Sequence, residues 1–331
     1  MKYNKILVTG GAGFIGSHLV DHLLHCDYEV VVLDNLSNGN LDNLDDAFKN
    51  KNFKFIEGSI LSKTDCENAL NGINYVFHFA CLGVRHSIHS PFENHQVNAE
   101  GTLNVLLATK KAQIKHFFYI STSEIYGRTL QFPITENNLT HPLTVYGSSK
   151  LAGEHYTNSF YECYGLNTTV LRIFNNYGPR AHYEGDSGEI IPRTIVSILN
   201  DIQPIIFGDG SITRDFFYVK DTAKVLTSLI GNKDIIGKTY NLGTGIEISM
   251  KNLVEEILIL LPERNLNINY MEDRPADVPR LWVDSTKIRK VVNIENESSF
   301  NSGLKETIQY YKDKNSIKNL SKEIKIINWE K

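Results

Sequence analysis

The stretch TGGAGFIGSHL, residues 9–19, constrains this chain more than any other. Glycines recur at Gly10, Gly13 and Gly16, and Gly11, Gly13 and Gly16 also satisfy the pattern G-x-G-x-x-G. The loop follows the apolar run KILVT and opens a segment of helix length, so it reads as a strand–turn–helix junction. Glycine at such a junction lets the backbone approach a pyrophosphate, and the free N–H groups of the helix start face it. The next apolar run, EVVVLD, ends in Asp34. A carboxylate there accepts hydrogen bonds from a ribose diol and repels a 2′-phosphate, so NAD is expected over NADP. Phe14 and Ile15 in the loop, and Asn35 beside Asp34, belong to the same expected site. Glycines serving only a tight turn would not account for strand, loop, helix and acid together.

Six short strand-like runs, KILVT, EVVVL, FKFIE, YVFHFA, HFFYIS and TTVLRI, alternate with helix-length segments through the first half. That rhythm predicts an α/β fold: a doubly wound parallel sheet covered by helices on both faces, with right-handed crossovers. Crossover helices are expected near residues 14–26, 94–113 and 147–164. After RIFNNYGPR the rhythm breaks into loops rich in Gly, Asp and Pro, with helical stretches near 189–200 and 250–261. The expected division is a cofactor domain over 1–174, with a later contribution from about 214–242, and a smaller interleaved substrate-binding domain over 175–330. The closing NSIKNLSKEIKIINWEK reads as a peripheral helix or a frayed tail.

Charge and cysteine usage narrow the partners. The 38 acidic residues nearly balance the 34 basic ones, which gives no basic footprint for a nucleic acid. No apolar run has the length of a membrane span, and the N-terminus enters a strand without a secretory leader. Cys26, Cys66, Cys81 and Cys163 lie far apart without metal-ligand spacing, so no metal is expected and reduced thiols in cytoplasm fit best.

Two stretches carry chemistry. In TVYGSSK, Tyr146 and Lys150 are four apart, which puts both on one face of a helix. A free tyrosine titrates near pH 10, and bringing it to neutrality takes about 4 kcal/mol, which a neighbouring ammonium and a nicotinamide cation could supply. In STSEIYG, the hydroxyls of Ser121, Thr122 and Ser123 and a carboxylate follow an apolar run, and Glu124 taken alone reads as a solvated loop residue.

With these residues in view, the chain resembles the extended short-chain dehydrogenase/reductase family, specifically its nucleotide-sugar epimerases, dehydratases and decarboxylases. Further matching stretches are LDNLS, HFA, the VN of Val97 and Asn98, RIFNNYGPR, GDGSITRDFFYV, YNLGTG and RPADVPRLWVD. The resemblance implies a Rossmann-like domain, bound NAD, and a homodimer built from the helices near 94–113 and 147–164. It adds Ser59, Ile60, Ala80 and Asn98 to the cofactor contacts, although Ser59 stands where the family usually has an aspartate. It also implies that Tyr146 removes the C4 hydroxyl proton of a nucleoside diphosphate sugar while hydride leaves C4. Lys150 would hold the nicotinamide ribose and lower the tyrosine's pKa, Thr122 would bond the sugar O4, and Asn175, Arg214 and Arg274 would hold the diphosphate.

Glu124 divides the outcomes that the resemblance leaves open. In the 4,6-dehydratases a glutamate here removes H5 from the 4-keto sugar, usually beside an aspartic acid that assists loss of the C6 hydroxyl; this chain has Ser123 there. A 4,6-dehydratase with Glu124 as C5 base is the leading expectation. A 4-epimerase of a UDP-hexose, UDP-N-acetylhexosamine or UDP-uronate is the alternative, and a UDP-glucuronate decarboxylase or a silent NAD-binding module are further ones. UDP is the favoured nucleotide. Arg85, Arg280 and the stretches VRHSIHS and RAHYEG could line the sugar site or be solvated loops.

Overall fold

The computed structural model describes residues 4–274, 277–292 and 297–329. Six strands are laid down in the first half: β1 (Lys5–Thr9), β2 (Glu29–Asp34), β3 (Phe53–Glu57), β4 (Tyr75–His78), β5 (His116–Thr122) and β6 (Thr168–Ile173). Between them lie α1 (Phe14–His25), α2 (Lys63–Ala69), α3 (Val84–His89), α4 (Pro91–His95), α5 (Thr102–Ala112) and α6 (Val145–Tyr164). Short strands β7 (Asn175–Tyr177), β8 (Ile205–Phe207) and β9 (Thr213–Tyr218) follow with α7 (Ile190–Leu199) and α8 (Val219–Ser228). The chain ends with β10 (Lys238–Leu242), β11 (Glu247–Ser249), α9 (Met250–Leu260), β12 (Asn269–Met271), β13 (Arg280–Leu281), α10 (Thr286–Arg289) and α11 (Phe300–Ile317).

Seven strands form one parallel sheet in the order β10-β6-β5-β4-β1-β2-β3. Its strands are near-continuous apolar runs because helices cover both faces. Ile6, Val8, Val30, Val32, Phe77 and Phe118 pack under α1 and α8, whereas Leu7, Val31, Val76, Phe117 and Tyr119 face α2, α5 and α6. The order reverses between β1 and β4, and ligands bind doubly wound sheets at the carboxyl ends of the strands flanking such a reversal.

Of the stretch 214–242, α8 packs on α1 and β10 joins β6 in register, Tyr240 opposite Leu171. Strand β9 lies elsewhere, in a four-stranded sheet with β7, β11 and β13. Around that sheet, Ile195, Ile198, Leu253, Ile257 and Leu304 make a separate apolar core. A buried ion pair ties α6 to β6: Arg172 donates to Glu154 at 2.8 Å and to the Tyr126 hydroxyl at 2.8 Å.

The helix expected near 94–113 is composite. A π-helical stretch, Gln96–Gly101, links α4 to α5. Such stretches cluster at functional sites, and here the stretch carries Asn98, whose amide clasps Leu82 through both N–H and C=O at 2.8 and 2.9 Å. The tail lies along the surface of the second core, anchored by Leu320 and by Arg193, which donates to the carbonyls of Lys325 and Ile326.

Candidate active site

A cleft of about 760 Å³ runs from the glycine loop across the ends of β4 and β5 to the loop before β13. Its first half is shaped by backbone. Gly10 has φ +71°, and a Cβ there would lie 2.7 Å from the Ala80 nitrogen; a Cβ on Gly16 would lie 2.3 Å from the Gly10 carbonyl oxygen. No side chain fits either position without displacing backbone, so these glycines let the turn pack tightly against Ala80 and bring the chain close to the start of α1, which Gly13 precedes. Phe14, Ile15, Asn35, Ser59, Ile60 and Ala80 all line this half. Asp34 is buried, and its oxygens accept from the Ala12 and Leu36 amides at 2.9 Å each, so the carboxylate also braces the glycine loop. Asn98 does not line the cleft. It acts one layer back, holding the Cys81–Gly83 loop that does.

At the end of β5, Thr122 caps a short helical turn, and its hydroxyl accepts from the Glu124 amide at 3.2 Å. This turn and the start of α6 bring Thr122, Ser123, Glu124, Tyr146 and Lys150 to one wall of the cleft. Lys150 is anchored on the backbone of β5. The Lys150 ammonium donates to the Ile120 carbonyl at 2.6 Å and lies 4.4 Å from the Tyr119 ring centre, and burial lowers its pKa. Burial raises the Tyr146 phenol well above its ordinary value, Cys81, Glu124 and Glu189 add to that, and the Thr122 hydroxyl opposes it. The Glu124 carboxyl is pushed up by burial, against the pull of Arg214, Arg85 and Arg274.

The far half holds the cations. Arg214 donates to the Val278 carbonyl at 2.7 Å and to Asp277 at 3.2 Å, and Arg274 lies 3.2 Å from the same carboxylate and 5.1 Å from the Phe207 ring. Asn175 joins them, its buried side-chain oxygen unpartnered among the described residues. Arg85, His86 and the loop containing His182 and Glu184 line the cleft, whereas Arg280 lies outside it, paired with Glu247 at 2.7 Å over the Phe132 ring. Sequence reasoning did not single out Glu189 or Trp329, both cleft residues, because each falls where no repeating pattern marks its orientation.

The family described as GDP-mannose 4,6 dehydratase matches residues 7–307. The chain belongs to this NAD-dependent epimerase/dehydratase family. It is 32% identical over 321 residues to the human dTDP-D-glucose 4,6-dehydratase, covering 93% of this chain and 90% of that one. The UDP-N-acetylglucosamine 4-epimerase of Methanobrevibacter ruminantium, solved with UDP-N-acetylmuramic acid, superposes with a TM-score of 0.89 at 34% identity, covering 95% and 100% of the two chains. The dTDP-glucose 4,6-dehydratase DesIV of Streptomyces venezuelae, solved with NAD bound, gives 0.88 at 28%, covering 95% and 98%.

This epimerase/dehydratase is therefore an enzyme, its cofactor is NAD, and its relatives act on nucleotide sugars. The reading as a silent module falls. The tight glycine turn before α1 and the Asp34 carboxylate ending β2 are residues that suit a dinucleotide. No helix among the described residues is long and apolar enough to cross a membrane, and these residues hold no cluster of metal ligands.

Proposed function

We propose that the enzyme is a nucleotide-sugar 4,6-dehydratase acting on a UDP-hexose. The observation that carries this is Glu124: a carboxyl in the cleft, without side-chain hydrogen-bond or ion-pair partner among the described residues, and raised by burial above its ordinary value. A base so tuned suits the C5 proton, which turns acidic once C4 is a ketone. NAD, when bound, takes the C4 hydride and returns it to the sugar in the same turnover. Tyr146 accepts the C4 hydroxyl proton, Thr122 bonds O4, and Lys150, fixed on Ile120, presents its charge to the nicotinamide ribose. Arg214 and Arg274, already oriented by Asp277, offer guanidinium edges to the diphosphate, with Asn175 beside them. In this reading residues 1–174 with α8 and β10 bind NAD, and most of the remainder binds the sugar nucleotide. The UDP-sugar in the M. ruminantium structure supports the choice of nucleotide.

Ser123 favours a second reading, 4-epimerisation, because the residue before Glu124 in the chain brings a hydroxyl and no carboxyl to assist loss of O6. Turnover in deuterated water with a panel of UDP-, GDP-, dTDP- and CDP-hexoses separates the two. A dehydratase gives a product lighter by one water with deuterium at C5; an epimerase gives an unlabelled product of unchanged mass, which would overturn the first reading. Loss of carbon dioxide from a uronate would mark a decarboxylase. We further propose a homodimer formed through α5 and α6. The four free cysteines support a reducing compartment, the cytoplasm.

A further inference from the structure

The dehydratase reading, on which this inference rests, makes a demand that Glu124 alone does not meet. Hydroxide is a poor leaving group, so O6 needs a proton as the C6–O6 bond breaks, at the moment when Glu124 is taking one from C5. Ser123 offers only a hydroxyl. The cleft's other carboxyls can be sorted by what they already hold. Asp34 accepts two amides, Glu93 pairs with His86 at 3.1 Å, and Glu184 pairs with His182 at 2.7 Å. Asp186 is held by His89 and Lys325, and Asp277 by Arg214 and Arg274. Among the described residues, Glu124 and Glu189 are left as the cleft carboxyls without a hydrogen-bond or ion-pair partner.

Glu189 stands immediately before α7, where its side chain makes no capping bond. The Tyr146 phenol feels the charge of both Glu124 and Glu189, and so does the Arg85 guanidinium. The two free carboxyls thus share one cleft with Tyr146 and Arg85, and both act on those two groups across it. Burial raises Glu189, against His182 and Arg85, as it raises Glu124, so one of the two can hold a proton while the other takes one.

We propose that Glu189 is the general acid that protonates the departing O6. The C5–H electron pair becomes the second bond between C5 and C6 as Glu124 takes the proton. The C6–O6 bond breaks, O6 takes the Glu189 proton, and water leaves. The hydride removed from C4 is then set down on C6 while Glu124 returns a proton to C5. Glu189, left as a carboxylate, regains its proton from solvent before the next turnover.

A change of leaving group tests this. Fluoride departs without a proton, so a 6-deoxy-6-fluoro analogue of the accepted nucleotide hexose makes the acid dispensable. Glu189→Gln should lower kcat on the natural sugar by roughly 10²- to 10⁴-fold, with KM and NAD affinity little changed. On the fluoro analogue, fluoride release should stay within about threefold of the unmutated enzyme, since no proton transfer is left to lose. Glu189→Asp should recover part of the natural rate, and the alkaline fall in kcat should vanish in Glu189→Gln. An equal loss on both substrates, or no loss on the natural one, overturns the proposal while leaving the dehydratase reading intact. Absence of water loss by the unmutated enzyme across the panel removes that reading, and the proposal with it.

Discussion

Tyr146 and Glu124 are separable by their proton steps. Tyr146→Phe removes the acceptor for the C4 hydroxyl and should slow sugar oxidation itself by about 10²- to 10⁴-fold. Glu124→Gln should leave that step, read as absorbance at 340 nm in a single turnover, within about threefold of normal while elimination stalls. Loss of the oxidation step in Glu124→Gln would contradict the assignment. The pH dependence follows from the direction of the shifts. Glu124 acts as a base and burial raises it, so activity should climb with pH on the acid side as it loses its proton, before the alkaline fall that Glu189 sets. A profile flat from pH 5 to 9 would be inconsistent with either role. Much of this site was legible: strand ends and helix starts place Thr122, Glu124, Tyr146 and Lys150 by local spacing. The ammonium's turn toward Ile120 was not, because a lysine's direction depends on carbonyls that only the folded sheet brings near.

Elements carry two further expectations. The β1–α1 turn depends on Gly10, whose positive φ and close approach to Ala80 leave no room for a side chain. Gly10→Ala should weaken NAD binding at least tenfold and cost about 1–3 kcal/mol in backbone strain, visible in NAD titration and thermal melting. The sheet and its first helix bury imidazoles in neutral form: burial lowers His18 and His78 to about 3 and His116 to about 4. Unfolded histidine takes up its proton near pH 6.5, so the stability these groups confer is whole above that pH and is lost as pH falls toward 4. The slope is about 1.4 kcal/mol per pH unit for each proton. A melting temperature unchanged between pH 7 and 4.5 would refute this. The strands of the parallel sheet were readable because apolar runs of that length, spaced by helix-length segments, admit few arrangements. The second sheet was not: β7, β11 and β13 are two or three residues long and are defined by their partner β9, not by any pattern of their own.

For the whole molecule, the proposed dimer face can be judged from exposure. Val105 and Leu106 on α5 are buried in the core, whereas Leu107 and Phe92 are 48% and 72% exposed on the same helical run. Light scattering should give twice the 37.5 kDa chain mass at micromolar concentration, and Leu107→Arg should shift the protein toward monomer. A monomer alone would reject the assembly. A last consequence lies in the loop Gly185–Ser187, which is tied to both banks of the cleft. Ser187 donates to Asn38 at 2.7 Å beside the nucleotide half, His89 meets Asp186 at 2.7 Å, and Lys325 and Asn328 hold the loop from the tail. The cofactor ends each turnover in its starting oxidation state, so catalysis never requires these ties to part for it; only the sugar has to come and go. NAD should therefore copurify as a resident group and stay with the protein through gel filtration; a preparation that elutes free of NAD would contradict this.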